Sequence, residues 1–186
     1  MVKNGEALKR CGNHEAKDYA VNEDENKKIV TRFIEEMWNQ RKLQVADELF
    51  AVDCVTHQLR SGEDPTGVPR SAESVKREAA AWLTGFPDLG FVLEQMIAVG
   101  DRVVSHCTLR GTHSGAWMGI GPTGRKVNFP IITIHRIADG KIAEDWVLVG
   151  SLMLFQQLGL VPQTEEIFGA ATSDHSHTKA TKGTKV

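Results

Sequence analysis

The spacing of apolar residues changes once along the chain, and this change limits the possible folds more than any other feature. In most of the chain up to residue 86, apolar residues recur every three or four positions, as they do on one face of a helix. From residue 91 onward the sequence becomes strand-like, with side chains that alternate between two faces. The strand-like segments are 91–100, 101–113, 125–138 and 141–150. Helices followed by a run of strands predict an α+β domain, in which helices cover one face of a curved antiparallel sheet and can enclose a pocket.

Start and stop signals divide the helical part into three predicted helices. Asn22 and Glu25 have the spacing of a capping arrangement at the first helix, and Pro87 ends the third. The predicted helices cover 22–42, 43–50 and 71–86, with a strand at 51–59 and a Gly- and Pro-containing loop at 60–70 between the last two. In the second half, Asp139-Gly140 is a strong signal for a two-residue hairpin turn.

Length and composition indicate one domain with polar ends. The chain has 186 residues, of which 41% are hydrophobic and 25% charged, as expected for a single domain with a core. We expect this domain to span 23–162. The segments 1–22 and 163–186 are predicted to be flexible because they are polar and weakly patterned. His175 and His177, in the second of these, are given no metal role.

Charge and cysteine content narrow the possible partners and compartments. A net charge of −2 and a pI near 6.4 provide no field that would attract nucleic acid or an anionic membrane, so the expected partner is a small molecule or a protein. Cys11, Cys54 and Cys107 are far apart and odd in number, which favours a reducing cytoplasm over a disulfide framework or a zinc site. The sequence predicts neither a secretory signal peptide nor a membrane span.

One apparent nucleotide motif does not have the required context. GIGPTG, at 119–124, matches G-x-G-x-x-G, but a dinucleotide loop must open a helix, and a strand follows here. A hairpin loop is therefore predicted. The phosphate-loop, zinc-protease and nucleophile-elbow motifs are absent, and the neighbouring His113 and Ser114 do not form a triad by spacing alone.

The remaining candidates for chemistry are titratable groups on the predicted strands. They are His57, His106, His135, Glu144 and Asp145, with Arg110 as a fixed cation. By alternation, His135 shares a face with Thr133 and Ile131, and Asp145 shares one with Val147. A titratable group in such an apolar row is either paired and inert or held at a shifted pKa at which it can move protons.

Several spaced segments resemble a known family. GTHSGAWMGIGPTGRKV, RIADGKIAEDW, LMLFQQLG and the opening helix IVTRFIEEMWNQRKLQVADELF are similar to the SnoaL-like polyketide cyclases, often called ester cyclases, of the nuclear transport factor 2-like superfamily. The resemblance covers residues 26–162. It implies a cone-shaped fold with a strongly bent sheet, an internal pocket, and homodimers or homotetramers formed through the outer sheet face. It also implies ring closure by intramolecular aldol condensation, without cofactor or metal, with an acidic residue as acid and base.

The sequence departs from this family at its most informative positions. Members that resemble the cyclases carry Asp where this chain has Val147, and often a second Asp where it has Gly150. Their histidine corresponds to Thr133, whereas this chain has His135 two residues later on the same face. We therefore expect His135 and Asp145, on adjacent strands, to form a replacement proton-transfer pair, with Glu144 a structural or interface acid.

Pocket lining and function follow as expectations from these features. Trp117, in the glycine-rich loop, is expected to be exposed unless the loop closes over the pocket as a lid. The predicted substrate-binding residues are Trp38, His57, Trp82, Phe86, His106, Phe129, Ile131, Thr133 and Val147. The leading function is a cofactor-independent cyclase or isomerase for a small, largely apolar oxygenated metabolite. A non-catalytic binding protein and an epoxide or ester hydrolase are the alternatives.

Overall fold

The fold is an α+β domain in which helices cover one face of a curved, unclosed sheet, as predicted. The structure, a computed structural model, describes residues 22–59, 62, 64 and 66–173. Cys11, His175 and His177 lie outside these residues, together with almost all of the predicted N-terminal segment and the C-terminal segment from residue 174.

The first helix and the long helix after the 60–70 loop begin at side-chain caps. The Asn22 side chain accepts hydrogen bonds from the backbone N–H groups of Asp24 and Glu25, and the Ser71 hydroxyl accepts one from Ser74. The helical elements are α1 (Glu23–Arg32), a π-helical segment (Phe33–Asn39), a 3₁₀ turn (Leu43–Val45), α2 (Ala46–Leu49), α3 (Ala72–Gly85), α4 (Ser151–Leu158) and α5 (Thr164–Ser173). The first predicted helix thus continues beyond α1 as a π-helical segment.

The six strands form one sheet with the order β2-β1-β6-β5-β4-β3. The strands are β1 (Phe50–Gln58), β2 (Val68–Pro69), β3 (Gly90–Val99), β4 (Arg102–Thr112), β5 (Lys126–Ala138) and β6 (Lys141–Val149). The predicted hairpin turn at Asp139-Gly140 joins β5 and β6, and both of its residues have positive φ. The sheet is mixed rather than wholly antiparallel, because β1 runs parallel to β6.

The two faces of the sheet differ as the alternation predicts. On β4, Val103, Ser105 and Cys107 are buried on the concave face, beneath the first helix and α3. On the opposite, convex face, large apolar side chains remain exposed. They include Ile132, Ile134 and Leu148 near the middle of the sheet and Val92, Ile97 and Val99 on β3.

The loop between β4 and β5 folds back onto α3. Trp117 is only 6% exposed, and its ring lies 4.6 Å from that of Trp82. Gly85 makes this contact possible, because a Cβ atom there would lie 2.5 Å from the Trp117 Cβ. The expected exposure of Trp117 is therefore wrong, and the reason is long-range: docking on α3 buries a ring whose local sequence is typical of an open loop.

After the sheet, the chain ends in two helices within the described residues. α4 follows β6 directly and ends at Gly159, whose φ of 74° is the left-handed conformation of a helix C-terminus. α5 lies in the stretch predicted to be a flexible tail, so helical structure extends beyond residue 162. None of the helices in the described part of the chain is long and apolar enough to cross a membrane.

Candidate functional site

A cavity of about 80 Å³ lies between the concave face of the sheet and the helices. Most of its wall is apolar. The aromatic and aliphatic residues of the wall include Phe33, Ile34, Trp38, Trp82, Phe91 and Ile131. A smaller polar set also faces the cavity: Gln58, Arg70, Glu78, Ser105, Thr133, His135 and Asp145. Few polar groups in an apolar cavity are the usual composition of a small-molecule site.

Asp145 is a fully buried carboxylate with two partners. The residue is 1% exposed, and the arrangement of β1 beside β6 places Thr56 next to it. The Thr56 hydroxyl donates a hydrogen bond to Oδ1, while Arg70 Nη1 donates to Oδ2 at 2.6 Å. A buried carboxylate needs such partners, because desolvation of an unpaired charge is expensive.

Arg70 brings the cation to this carboxylate from the end of the loop before α3. Its backbone N–H donates to the carbonyl of Cys54 at 2.7 Å, which fixes the residue beside β1. Its guanidinium spans two acids, since Nη2 also donates to Glu78 Oε2 at 2.8 Å. Nε is buried and has no hydrogen-bond partner among the described residues. One N–H of a charged residue on the cavity wall is therefore unpaired among the described residues.

His135 lies on the same face as Asp145, and the register pairs the two residues across β5 and β6. Its Nε2 is 3.4 Å from Ser105 Oγ, and Nδ1 has no partner in the described residues. Burial, together with the nearby Arg70 cation, lowers the pKa of His135 to about 3. The ring is therefore neutral near neutral pH, and it contributes one N–H donor and one acceptor.

The predicted pair of His135 and Asp145 is adjacent but not hydrogen-bonded. Within the described residues, no hydrogen bond joins the two side chains, because Thr56 and Arg70 occupy the carboxylate and Ser105 is the imidazole's neighbour. Arg70, rather than His135, is the direct charged partner of Asp145. Whether either group takes part in catalysis stays a prediction.

Five predicted substrate-binding residues line the cavity, and four do not. Those on the wall are Trp38, Trp82, Ile131, Thr133 and Val147. His57 and His106 face the convex side of the sheet, since their strand neighbours Thr56, Ser105 and Cys107 face inward. Phe86 and Phe129 are buried in the core, where their rings lie 5.8 Å and 6.2 Å from that of Trp82. They support the wall without forming it.

Glu144 has partners on the convex face, one residue before Asp145. It lies 2.9 Å from both His57 Nε2 and Arg136 Nε, and the His57 ring stacks on Trp146 at 4.8 Å. Partial burial raises the pKa of Glu144, but the hydrogen bonds from Arg136 and His57 outweigh it and hold that pKa below its ordinary value. The consecutive residues Glu144 and Asp145 therefore lie on opposite faces of the sheet.

At the two positions where the resemblance implies aspartate, this chain has Val147 and Gly150, neither of which carries an acidic side chain. Val147 lines the cavity two residues after Asp145, on the same face. Gly150 packs so closely against β5 that a Cβ atom would lie 2.8 Å from Pro130 Cδ. Because an added side chain would force Pro130 to move, an aspartate does not fit at Gly150 in this backbone.

Arg70 and Glu78 are site residues that were not predicted from the sequence, for different reasons. Glu78 follows Val75 by three residues and precedes Trp82 by four, so it lies beside the apolar face of α3, and this signal was available. Arg70 follows a loop, and nothing in its local sequence distinguishes it from a surface arginine. Its position depends on pairing between distant strands.

Comparisons with known proteins agree with the fold described above. A family model described as SnoaL-like polyketide cyclase matches residues 28–158. AclR from Streptomyces galilaeus, a candidate hydroxylase, is 27% identical, with 76% of this chain and 100% of that chain covered and a TM-score of 0.66. IdmH from Streptomyces antibioticus, a candidate polyketide cyclase, is 30% identical, with coverage of 72% and 98% and a TM-score of 0.62.

A third similar structure is a candidate SnoaL-like polyketide cyclase from Jannaschia sp. CCS1. It is 26% identical, with 75% of this chain and 95% of that chain covered and a TM-score of 0.66. No curated protein matches the chain. The names of these structures cover more than one reaction, so the shared fold does not by itself identify the chemistry.

Proposed function

Because the chain belongs to the SnoaL-like polyketide cyclase family, we propose that it is a cofactor-independent cyclase or isomerase. Its substrate is a small, largely apolar oxygenated metabolite of polyketide or terpenoid type. The observation that carries this proposal is the buried Asp145–Arg70 pair, 2.6 Å apart in a cavity that is otherwise mostly apolar. In a water-poor site a fixed charge pair acts strongly on developing charge, which proton transfer to and from carbon requires.

Asp145 is the proposed proton acceptor. Its carboxylate removes a proton from a substrate carbon that lies between two carbonyl groups, and an enolate forms. The enolate carbon attacks a third, more distant carbonyl carbon of the same molecule, which closes the ring by forming the new carbon–carbon bond. The oxygen of that carbonyl becomes an alkoxide and takes the proton back from Asp145. The product is an isomer of the substrate, and subsequent loss of water gives a dehydrated ring.

Arg70 and His135 are the proposed stabilisers of the negative oxygen. The Arg70 Nε–H has no partner among the described residues, so a substrate oxygen can accept it without breaking the ion pair. The neutral His135 ring supplies a further N–H donor, whose position its neighbour Ser105 helps to fix. Preorganised donors of this kind lower the barrier because they need no reorientation during the reaction.

The test is a mass-spectrometric comparison of substrates and products. The full chain is incubated with a panel of oxygenated polyketides and terpenoids, alongside an Asp145→Asn variant. Products of unchanged mass, or lighter by one water, that are absent with the variant are expected. A product heavier by one water would instead identify a hydrolase. Compounds retained but never altered would replace the proposal with a non-catalytic binding protein.

We further propose that the protein is a homodimer that associates through its convex sheet face. Ile132, Ile134 and Leu148 are 40%, 36% and 46% exposed on neighbouring strands, and large exposed apolar patches on a sheet are typical of protein interfaces. A reducing compartment, the cytoplasm, is proposed as its location. The support is that Cys54 and Cys107 are free thiols, and burial raises their pKa values to about 12 and about 11.

A further inference from the structure

An apolar groove of about 510 Å³ adjoins the cavity, between α3, the β4–β5 loop and α4. Its walls are formed by Ala81, Trp82, Trp117, Met118, Leu154 and Phe155. Glu78, Trp82 and Val149 line both the groove and the cavity, so the two spaces meet at these residues. The groove is therefore an extension of the site and not a separate depression elsewhere on the surface.

The volumes argue that one ligand occupies both spaces. Pockets for drug-sized molecules occupy roughly 300–1,000 Å³. The cavity, at about 80 Å³, accommodates only a few heavy atoms, whereas the groove falls within this range. A substrate with enough carbonyl groups to cyclise therefore cannot be enclosed by the cavity alone.

The distribution of polar groups sets the direction of the ligand. Arg70, His135 and Asp145 lie on the cavity wall. Among the residues that the structure describes, Glu78 and Ser151 are the only acidic or hydroxyl side chains on the groove wall. We propose that the oxygenated head of the substrate enters the cavity and that an apolar, preferably aromatic tail of the same molecule lies in the groove. This inference rests on the proposed function for the identity of the head.

The turn formed by Met118 and Gly119 is a second, independent observation in favour of ligand binding in the groove. Trp117 and Ile120 exchange backbone hydrogen bonds of 3.0 Å and 2.8 Å around a two-residue turn, in which Met118 and Gly119 have φ of 49° and 78°. Such turns favour Asn-Gly, because positive φ is unfavourable for a residue like methionine. A strained conformation at a site is a reason to seek a function there.

The exposed side chain of Met118 indicates which kind of ligand the groove would bind. Met118 is 67% exposed on the groove wall, although its neighbour Trp117 is buried. Methionine is flexible and polarizable, and it makes favourable contacts with aromatic rings. The Trp82 and Trp117 rings, 4.6 Å apart, provide aromatic surface nearby. The groove therefore favours a flat tail that packs between Met118 and these indoles.

The test is a binding series with one head and three tails. Acetylacetone, benzoylacetone and naphthoylacetone share the 1,3-diketone group and differ in apolar tail. Their dissociation constants are measured by calorimetry and by quenching of tryptophan fluorescence. Naphthoylacetone is expected to bind at least about thirtyfold more tightly than acetylacetone, because its rings leave water for the groove. Equal affinities across the series, or no binding by any member, would overturn the inference.

Met118→Asn separates the role of the groove from the stability of the fold. It is expected to weaken naphthoylacetone binding about fivefold, to leave acetylacetone binding unchanged, and not to lower the Tm, because Asn-Gly suits the turn. Met153→Asn is the matched control, since Met153 is 45% exposed on α4 but does not line the groove. An effect of Met118→Asn no larger than that of the control would contradict the inference.

The experiment distinguishes failure of the groove from failure of the cyclase proposal. The diketones report binding without any need for turnover. If affinity depends on the tail but no compound is converted, the proposed role of the groove is supported and the cyclase proposal is wrong. If the protein is an active cyclase whose affinity does not depend on the tail, the cyclase proposal is supported and the proposed role of the groove is wrong.

Discussion

The two faces of the sheet hold similar ion pairs in opposite surroundings. On the concave face, Asp145 is 1% exposed and pairs with Arg70 at 2.6 Å. On the convex face, the preceding residue Glu144 pairs with Arg136 at 2.9 Å, and 23% of its side chain is exposed. Both pairs join a carboxylate to a guanidinium at nearly the same distance, so the two pairs differ mainly in their exposure to water. Water can replace the convex partner, whereas nothing replaces the concave one.

The largest expected effect of this difference is on stability. Arg70→Met leaves Asp145 buried without its cation, and loss of one partner of a buried pair costs about 3–5 kcal/mol. Arg136→Met is the matched variant on the convex face, where loss of a partly exposed pair costs less than about 1 kcal/mol. The free energy of unfolding of both variants is measured by urea denaturation. Equal losses would show that the two faces do not differ as argued.

The next largest expected effect is on kcat, and it is tested by substituting the consecutive acids Glu144 and Asp145 separately. Asp145→Asn removes the proposed base and is expected to lower kcat at least about a hundredfold, since a positioned acid or base contributes roughly 10²–10⁴ to the rate. Glu78 remains as a partner of Arg70, so the fold should survive. Glu144→Gln should leave kcat within about twofold of the wild type.

These rates are measured on any substrate that the mass-spectrometric panel identifies. Circular dichroism of both variants checks that they are folded. If Glu144→Gln lowers kcat as much as Asp145→Asn does, proton transfer cannot be assigned to the concave face.

The separation of these faces was predictable from sequence, but the composition of the site was not. Alternation along β5 and β6 correctly placed His135, Thr133 and Val147 with Asp145 on the inner face. Alternation identifies the residues of one strand that share a face, but the hairpin turn alone does not fix the register between the strands. A bulge between Arg136 and Ile137 shifts the pairing by one residue, so that His135 lies opposite Asp145 rather than Glu144.

The parts that failed depend on contacts between distant segments. Arg70 reaches Asp145 only because β1 pairs in parallel with β6, about 90 residues away in the chain, as in Thr56↔Asp145. The burial of Trp117 likewise depends on docking against α3. Neither contact leaves a periodic signal in the local sequence, so hydrophobic patterning cannot reveal it.

A smaller effect is expected in the pH dependence of stability, through His135. Its folded pKa of about 3 lies below the ordinary value of 6.5, so between these values the unfolded chain binds one more proton than the folded protein. This histidine therefore makes stability fall as pH decreases through that window. Between pH 7 and 5 the contribution is about 2 kcal/mol.

His135→Gln should remove this contribution. The free energy of unfolding is measured by urea denaturation at both pH values, and the wild type should lose about 2 kcal/mol more than the variant. The comparison uses the change with pH within each protein, so any packing loss caused by glutamine cancels. An identical pH dependence in the two proteins would mean that His135 is not held neutral by its surroundings.

The smallest expected effect on the single chain comes from the convex apolar patch. Leu148 is 46% exposed, so Leu148→Lys should change the free energy of unfolding by less than about 0.5 kcal/mol at concentrations at which the chain is monomeric. In the proposed homodimer the same change buries a charge in an apolar interface, and the dissociation constant of the dimer should increase at least about tenfold.

This dissociation constant is measured by light scattering after size-exclusion chromatography over a dilution series. Val52→Lys, on β1 at 96% exposure and outside the patch, is the control. A wild-type monomer at every concentration would leave the convex face without a partner of its own kind, whereas a dimer unaffected by Leu148→Lys would move the interface elsewhere. In either case the concave site would keep its chemistry, because none of its polar residues lies on the patch.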